Sequence, residues 1–246
     1  MKRQYCLLFV IALFSCLTAC VSSGPKPNLE KAAEFNAQLG AGYLAQGQVE
    51  RAKEKLEKAL DQNSNSALAN AAYGLLQNQL GDNKKADKHL KKALRIEPEN
   101  PEYNNNYGTF LCGVGRLQEA EERFNKALRD PLYPTKEFAW TNLGICALKI
   151  PDEVKAEVYF RKALDLNPYF GSALMQMAHL YERKRNPRVA YGYVQKYFEK
   201  LPETPDSLAT AIRLTKQLGD RNAEGKYTIK LRNRFPDSEA ARNINK

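Results

Sequence analysis

The chain has 246 residues, 38 Lys and Arg against 28 Asp and Glu, and 43% hydrophobic residues, a composition that excludes a polytopic membrane protein. With 14 Gly, 12 Pro and apolar residues spread along its length, it is neither collagen-like nor largely disordered. Five Cys are too few for a disulfide scaffold, and the net charge of +10 would suit a nucleic-acid partner only in a chain that stayed in the cytosol.

The first element argues against that location. Lys2 and Arg3 precede an apolar run from Cys6 to Phe14 and then small or polar residues, the pattern of a secretory signal over residues 1–19. It closes on Leu17-Thr18-Ala19-Cys20, which resembles the bacterial lipobox. The resemblance implies that Cys20 is acylated and becomes the mature N-terminus. Several acyl chains, at about 0.8 kcal/mol per buried methylene, make a stable anchor. Val21 and Ser22 carry no acidic signal for inner-membrane retention, so the implied site is the periplasmic face of the outer membrane. Loss of residues 1–19 leaves 36 basic against 28 acidic residues, a net of +8. Outside the cytosol that charge has no nucleic acid to meet, which leaves anionic headgroups, peptidoglycan or an acidic protein patch as partners, or a solvated surface with no specific role. Residues 20–32, holding Gly24, Pro25 and Pro27, read as a lipidated Cys and flexible tether. The eight residues from Val21 to Asn28 reach about 25 Å.

A repeat fills the rest. Gly40, Gly74, Gly108, Gly144 and Ala178 are spaced 34, 34, 36 and 34 residues apart. Twelve residues after each comes Ala52, Ala86, Ala120, Ala156 or Ala190, with larger apolar residues at Leu56, Leu90, Phe124, Phe160 and Val194. Small residues suit close helix crossings, bulk suits packing between pairs, and Pro98, Pro168, Pro202 and Pro236 close four units. The pattern resembles the tetratricopeptide repeat. It implies an all-α, right-handed superhelical solenoid of six units over residues 33–238, bounded 33–66, 67–100, 101–134, 137–170, 171–204 and 205–238, with a tail at 239–246. Two extra residues in the segment 130–136, which holds Pro131 and Pro134, separate units three and four. The sixth unit has Ile212 for Gly and Glu224 for Ala, as expected of a cap.

Catalytic chemistry is missing from the pattern. The two His, His89 and His179, are too few for most metal or triad sites, and no nucleophile elbow or phosphate loop occurs. Gly113-Val114-Gly115 falls at an inter-helix turn, and Asn104, Asn105 and Asn106 suit either a bound peptide backbone or bonds within the solenoid. The expectation is a protein-binding scaffold with no cofactor, no metal and no small-molecule substrate.

Cys112 and Cys146 occupy positions 12 and 10 of neighbouring first helices, in an oxidising compartment, so a disulfide is expected. Six units behind a lipobox, these two Cys, and the strings Asn106-Tyr107-Gly108-Thr109-Phe110-Leu111-Cys112 and Ala139-Trp140-Thr141-Asn142-Leu143-Gly144 resemble the PilF/PilW family of type IV pilus pilotins. The resemblance implies a lipoprotein that binds the pilus secretin subunit and promotes its outer-membrane localisation and multimerisation. An adaptor for peptidoglycan hydrolases is the competing reading. Within the groove lined by first helices, Ala37, Ala41, Leu44, Leu68, Ala71 and Leu75 form an apolar strip, expected to be exposed and to receive an apolar secretin segment.

Overall fold

The computed structural model describes residues 28–244, and among these are thirteen α-helices and no strand. They are α1 (Leu29–Ala45), α2 (Val49–Gln62), α3 (Ala67–Gln79), α4 (Asn83–Ile96), α5 (Pro101–Gly113), α6 (Leu117–Arg129) and α7 (Lys136–Ala147), followed by α8 (Glu153–Leu166), α9 (Gly171–Arg183), α10 (Pro187–Lys200), α11 (Pro205–Leu218), α12 (Arg221–Arg234) and α13 (Glu239–Asn243). The first twelve form six antiparallel pairs, one per unit.

The expected limits shift at both ends. Asn28 accepts a hydrogen bond from the Lys31 backbone N–H and so caps a helix that begins at Leu29. Residues 29–32 therefore belong to α1 and not to the tether. At the other end, the expected tail at 239–246 contains α13, capped by Ser238, and Ala241 is buried in a cluster with Leu208, Ile212 and Leu231. The true end cap is thus α13, laid over the last pair.

The repeated Gly has a steric cause. A Cβ built at Gly40 would lie 2.5 Å from Leu56, one at Gly74 2.7 Å from Leu90, one at Gly108 2.9 Å from Phe124, and one at Gly144 2.3 Å from Phe160. Each Gly opens the gap that the bulky residue of its own second helix fills. In unit five the small residue is Ala178, and the residue beside it in the same cluster is the shorter Val194. Ala52, Ala86, Ala120, Ala156 and Ala190 are wholly buried.

In five of the six units the turn between the paired helices follows one pattern; unit four, which turns through Pro151, has no residue of positive φ there. Gly47, Gly81, Gly115 and Gly219 have φ between 72° and 83°, the left-handed conformation that ends a helix. In unit five Arg185 takes this place at φ 57°. Between units three and four, Tyr133 is buried against Ala127 and Ala139 and pins the longer connection.

From unit one to unit five the first helices touch one another in succession, whereas successive second helices stand further apart and meet only through long side chains, such as Lys155 with Glu121 at 2.7 Å. First helices therefore line the inner side and second helices stand on the outer side. This explains why second helices carry one apolar stripe on a charged body, while first helices are apolar on several faces. Polar bonds stitch neighbouring units. Glu157 of unit four accepts from Arg161 in its own helix and from Tyr181 and Lys184 of unit five, at 2.7, 2.7 and 2.6 Å. Partial burial raises its pKa, but these three donors outweigh that and bring it down to about 2.

Candidate protein-binding surfaces

Cys112, near the end of α5, and Cys146, in α7, join units three and four as a disulfide, with Cα atoms 5.7 Å apart. Both are buried in the cluster that holds Leu111, Phe124 and Leu143. Cys20 and the lipobox lie outside the described residues.

The six residues of the apolar strip are not exposed, which corrects the sequence expectation. Ala37 is 0% exposed, in a cluster with Ala59 and Ala69 that Leu68 partly covers. Ala71 is 2% exposed, and Leu75 packs half-buried beside it in the next cluster. Ala41 and Leu44 are half-buried against Ala52, Leu56, Ala72 and Leu76. The reason is the contact between successive first helices: the fifth position of each, which was read as facing a ligand, is spent on that contact. It is buried in units one to five, as Ala37, Ala71, Asn105, Thr141 and Met175.

Polar groups further along the inner side are also engaged. Asn142 donates to Asn105 Oδ1 and to Thr109 Oγ1, each at 3.1 Å. His179 Nε2 lies 3.3 Å from Thr210 Oγ1, and burial lowers its pKa. Arg213 grips Glu182 with two bonds of 2.8 Å, which hold that carboxyl below its usual range. Asn104, wholly buried, donates to the carbonyls of Pro98 and Asn100 and so ties the inter-unit turn to α5. Asn70 does the same with Ser64 and Ser66, and its Oδ1 lies 3.0 Å from His89 Nδ1. Asn104 and Asn105 thus serve the solenoid itself.

Among the described residues, what stands open is the N-terminal end. The third position of every later unit is buried, as Ala69, Tyr103, Ala139, Ala173 and Ser207, and in units two to four it shares a cluster with the unit before it. In unit one that position is Phe35, which is 62% exposed because no described unit precedes it. Phe35, Leu39, Gly42 and Tyr43, with Gln38 and Gln46 at the edge, form a shallow depression of about 220 Å³ on α1. The sequence held the signal, since the third position is small or aromatic in every unit, but only stacking shows which copy lacks a cover.

Two tetratricopeptide repeat models match the chain, over residues 43–105 and 89–122. Type IV pilus assembly protein PilF of Pseudomonas aeruginosa is 34% identical over 244 residues, which covers 97% of this chain and 96% of the relative. The solved Pseudomonas aeruginosa PilF structure has a TM-score of 0.71 at 33% identity and covers 88% of this chain and 98% of its own. The structure of PilW, described as a widely conserved type IV pilus biogenesis factor, has a TM-score of 0.75 at 31% identity and covers 87% and 98%. These relatives are non-enzymatic repeat scaffolds. Similarity that runs through all six units, on the same helical frame, makes this chain a member of the PilF/PilW family of tetratricopeptide-repeat scaffolds in type IV pilus biogenesis.

Proposed function

We propose that the protein is a secretin pilotin. Lipids on Cys20 anchor it at the periplasmic face of the outer membrane, and an apolar segment of the pilus secretin subunit docks on the open face of α1, which helps the secretin reach that membrane and multimerise. The observation that carries this reading is an exposed Phe35 on the unstacked face of unit one, in a chain related to PilF along its whole length. A partner that supplies one apolar side chain to the depression beside Phe35 would take the place of the missing preceding helix. The half-buried Leu44 packs in the same cluster as Tyr43, which lines the depression, and Leu75 lies in the next cluster away from it.

Phe35→Glu tests the site. The ring is exposed, so stability should change by no more than about 0.5 kcal/mol, while capture of the purified secretin subunit is lost. Leu75→Glu should instead unfold the protein, because it places a charge against a closed core. Normal secretin capture by a folded Phe35→Glu variant would remove this face from consideration. In cells, deletion of the gene should abolish secretin multimers. Intact multimers would remove the pilotin role itself. The anchor is tested separately by mass spectrometry of the mature N-terminus, where an unmodified Cys20 would contradict lipidation.

A further inference from the structure

The second helix of unit two is unlike its counterparts. Helix α4 carries Lys84, Lys85, Lys88, Lys91, Lys92 and Arg95 against a single acid, Asp87, whereas α2, α6 and α8 carry balanced charge. Helix α12 is also basic, but Lys230 and Arg234 close on Glu203. On α4, Lys84, Lys88, Lys91 and Arg95 follow one another at intervals of four, three and four residues, which sets them in one stripe about 16 Å long. Like charges at this spacing weaken a helix.

The stripe borders an open depression of about 560 Å³ between α4 and α6, lined by Lys88, Lys91, Arg95, Arg123, Tyr107 and Glu119 with the side of Leu94. The two carboxylates at its margin are already engaged: Asp87 binds Lys91 at 2.6 Å and Arg116 at 2.9 Å, and Glu119 binds Arg116. Lys88, Arg95 and Arg123 have no carboxylate within 4 Å among the described residues, and Arg123 lies over the Tyr107 ring, 5.7 Å from its centroid. The local positive field shows on His89: burial lowers its pKa first, and Lys88, Lys92 and Lys85 lower it further.

We propose that this outer face of units two and three docks on the phosphate headgroups of an anionic lipid surface. The face lies on the outer side of the solenoid, offers no channel for an extended chain, and is dominated by Lys, whose hydrated, rotatable ammonium suits scattered phosphates better than one fixed carboxylate. Its α4 edge is two packing steps from α1, by way of α3, about 20 Å at ordinary helix spacing, on a chain tethered through Cys20. The proposal takes only this proximity from the anchor reading. Such a contact would fix which way the solenoid leans over the membrane and so where its open N-terminal end points.

The test uses the full mature protein with vesicles of phosphatidylethanolamine, and with vesicles of phosphatidylethanolamine and phosphatidylglycerol at three to one. Lysine acylation followed by mass spectrometry reports accessibility. Lys84 and Lys88 should become protected only when phosphatidylglycerol is present, and should be released by high salt. Lys58 on α2 should react equally on both. Each basic residue near an anionic surface is worth about fivefold in partitioning, so the double change Arg95→Gln and Arg123→Gln should weaken protection of Lys88 roughly twenty-five-fold. Circular dichroism confirms that this double variant, at an exposed Arg95 and a half-buried Arg123, is folded. A protein held by both vesicles with Lys88 equally reactive on each overturns the proposal while leaving the anchor intact. Protein that ignores phosphatidylethanolamine but binds phosphatidylglycerol vesicles removes the anchor and supports the face. Protection of Lys88 by added polyglutamate and not by phosphatidylglycerol overturns it in favour of an acidic protein partner.

Discussion

An alanine at position 144 would place its Cβ 2.3 Å from Cε1 and 2.6 Å from Cδ1 of Phe160, a ring with no exposed surface. Two effects oppose each other. Ala is the better helix former by about 1 kcal/mol. Overpacking a closed core costs about 1–3 kcal/mol, and a contact this short belongs at the upper end. Phe160 shares its cluster with Ala147, Ala156, Met177 and Leu180, drawn from α7, α8 and α9, so it has little room to retreat. The expected net loss is about 2 kcal/mol, or a Tm lowered by roughly 4–8 °C in a protein of this size. Unit five shows how the fold accommodates the extra methyl, since Ala178 there is clustered with Val194. Phe160→Val alone should cost about 2–3 kcal/mol through the cavity it leaves. Combined with Gly144→Ala it should cost less than the two separate losses together, by about 1–3 kcal/mol, because the new methyl fills part of that cavity. Urea unfolding of the four proteins measures this coupling. A neutral or stabilising Gly144→Ala, or a coupling of zero, would show that the Gly is not there to admit the ring.

Arg185→Gly should raise stability by about 1 kcal/mol, since φ 57° strains any residue with a Cβ, and a Tm no higher than wild type would refute this. Glu157 should make the protein sensitive to acid. Its carboxyl titrates at about 2 in the fold against 4.5 unfolded, so its stabilisation is complete above about pH 5 and is lost as pH falls through the folded value. The loss is on the order of 2–3 kcal/mol, and Glu157→Gln should flatten the denaturation midpoint between pH 5 and pH 2. Removing the Cys112–Cys146 bridge, which closes a sequence separation of 34 residues, should cost about 3–4 kcal/mol in the chain-entropy model. Two alkylatable thiols in the unreduced, denatured wild type would show that the bridge does not form.

The solenoid was legible because its demands recur. Gly144 matters only through Phe160, but the same pairing at Gly40 with Leu56 and at Gly74 with Leu90 turns one steric fact into a period. The groove was not legible in the same way. Whether Ala37 faces a ligand or Ala69 depends on how far one pair is displaced along the next, and no single helix encodes that offset. Asn28 was masked by its surroundings: Gly24, Pro25 and Pro27 mark a tether, yet the carboxamide that follows them starts a helix. Asn104 and Asn105 presented donors and acceptors whose partners, Pro98 and Asn142, were set by the chain path and by the adjacent unit.

The bridge between α5 and α7 has a kinetic consequence. In a stack where each pair holds mainly its neighbours, opening begins at the ends and travels inward one pair at a time. The covalent link falls near the middle of the stack, so fraying from either side meets two pairs that must let go together. Amide hydrogens of α5 and α7 should therefore exchange slowest, while those of α1 exchange early. The end where Phe35 stands exposed, proposed above as the docking face, is then also the end most free to loosen and reclose.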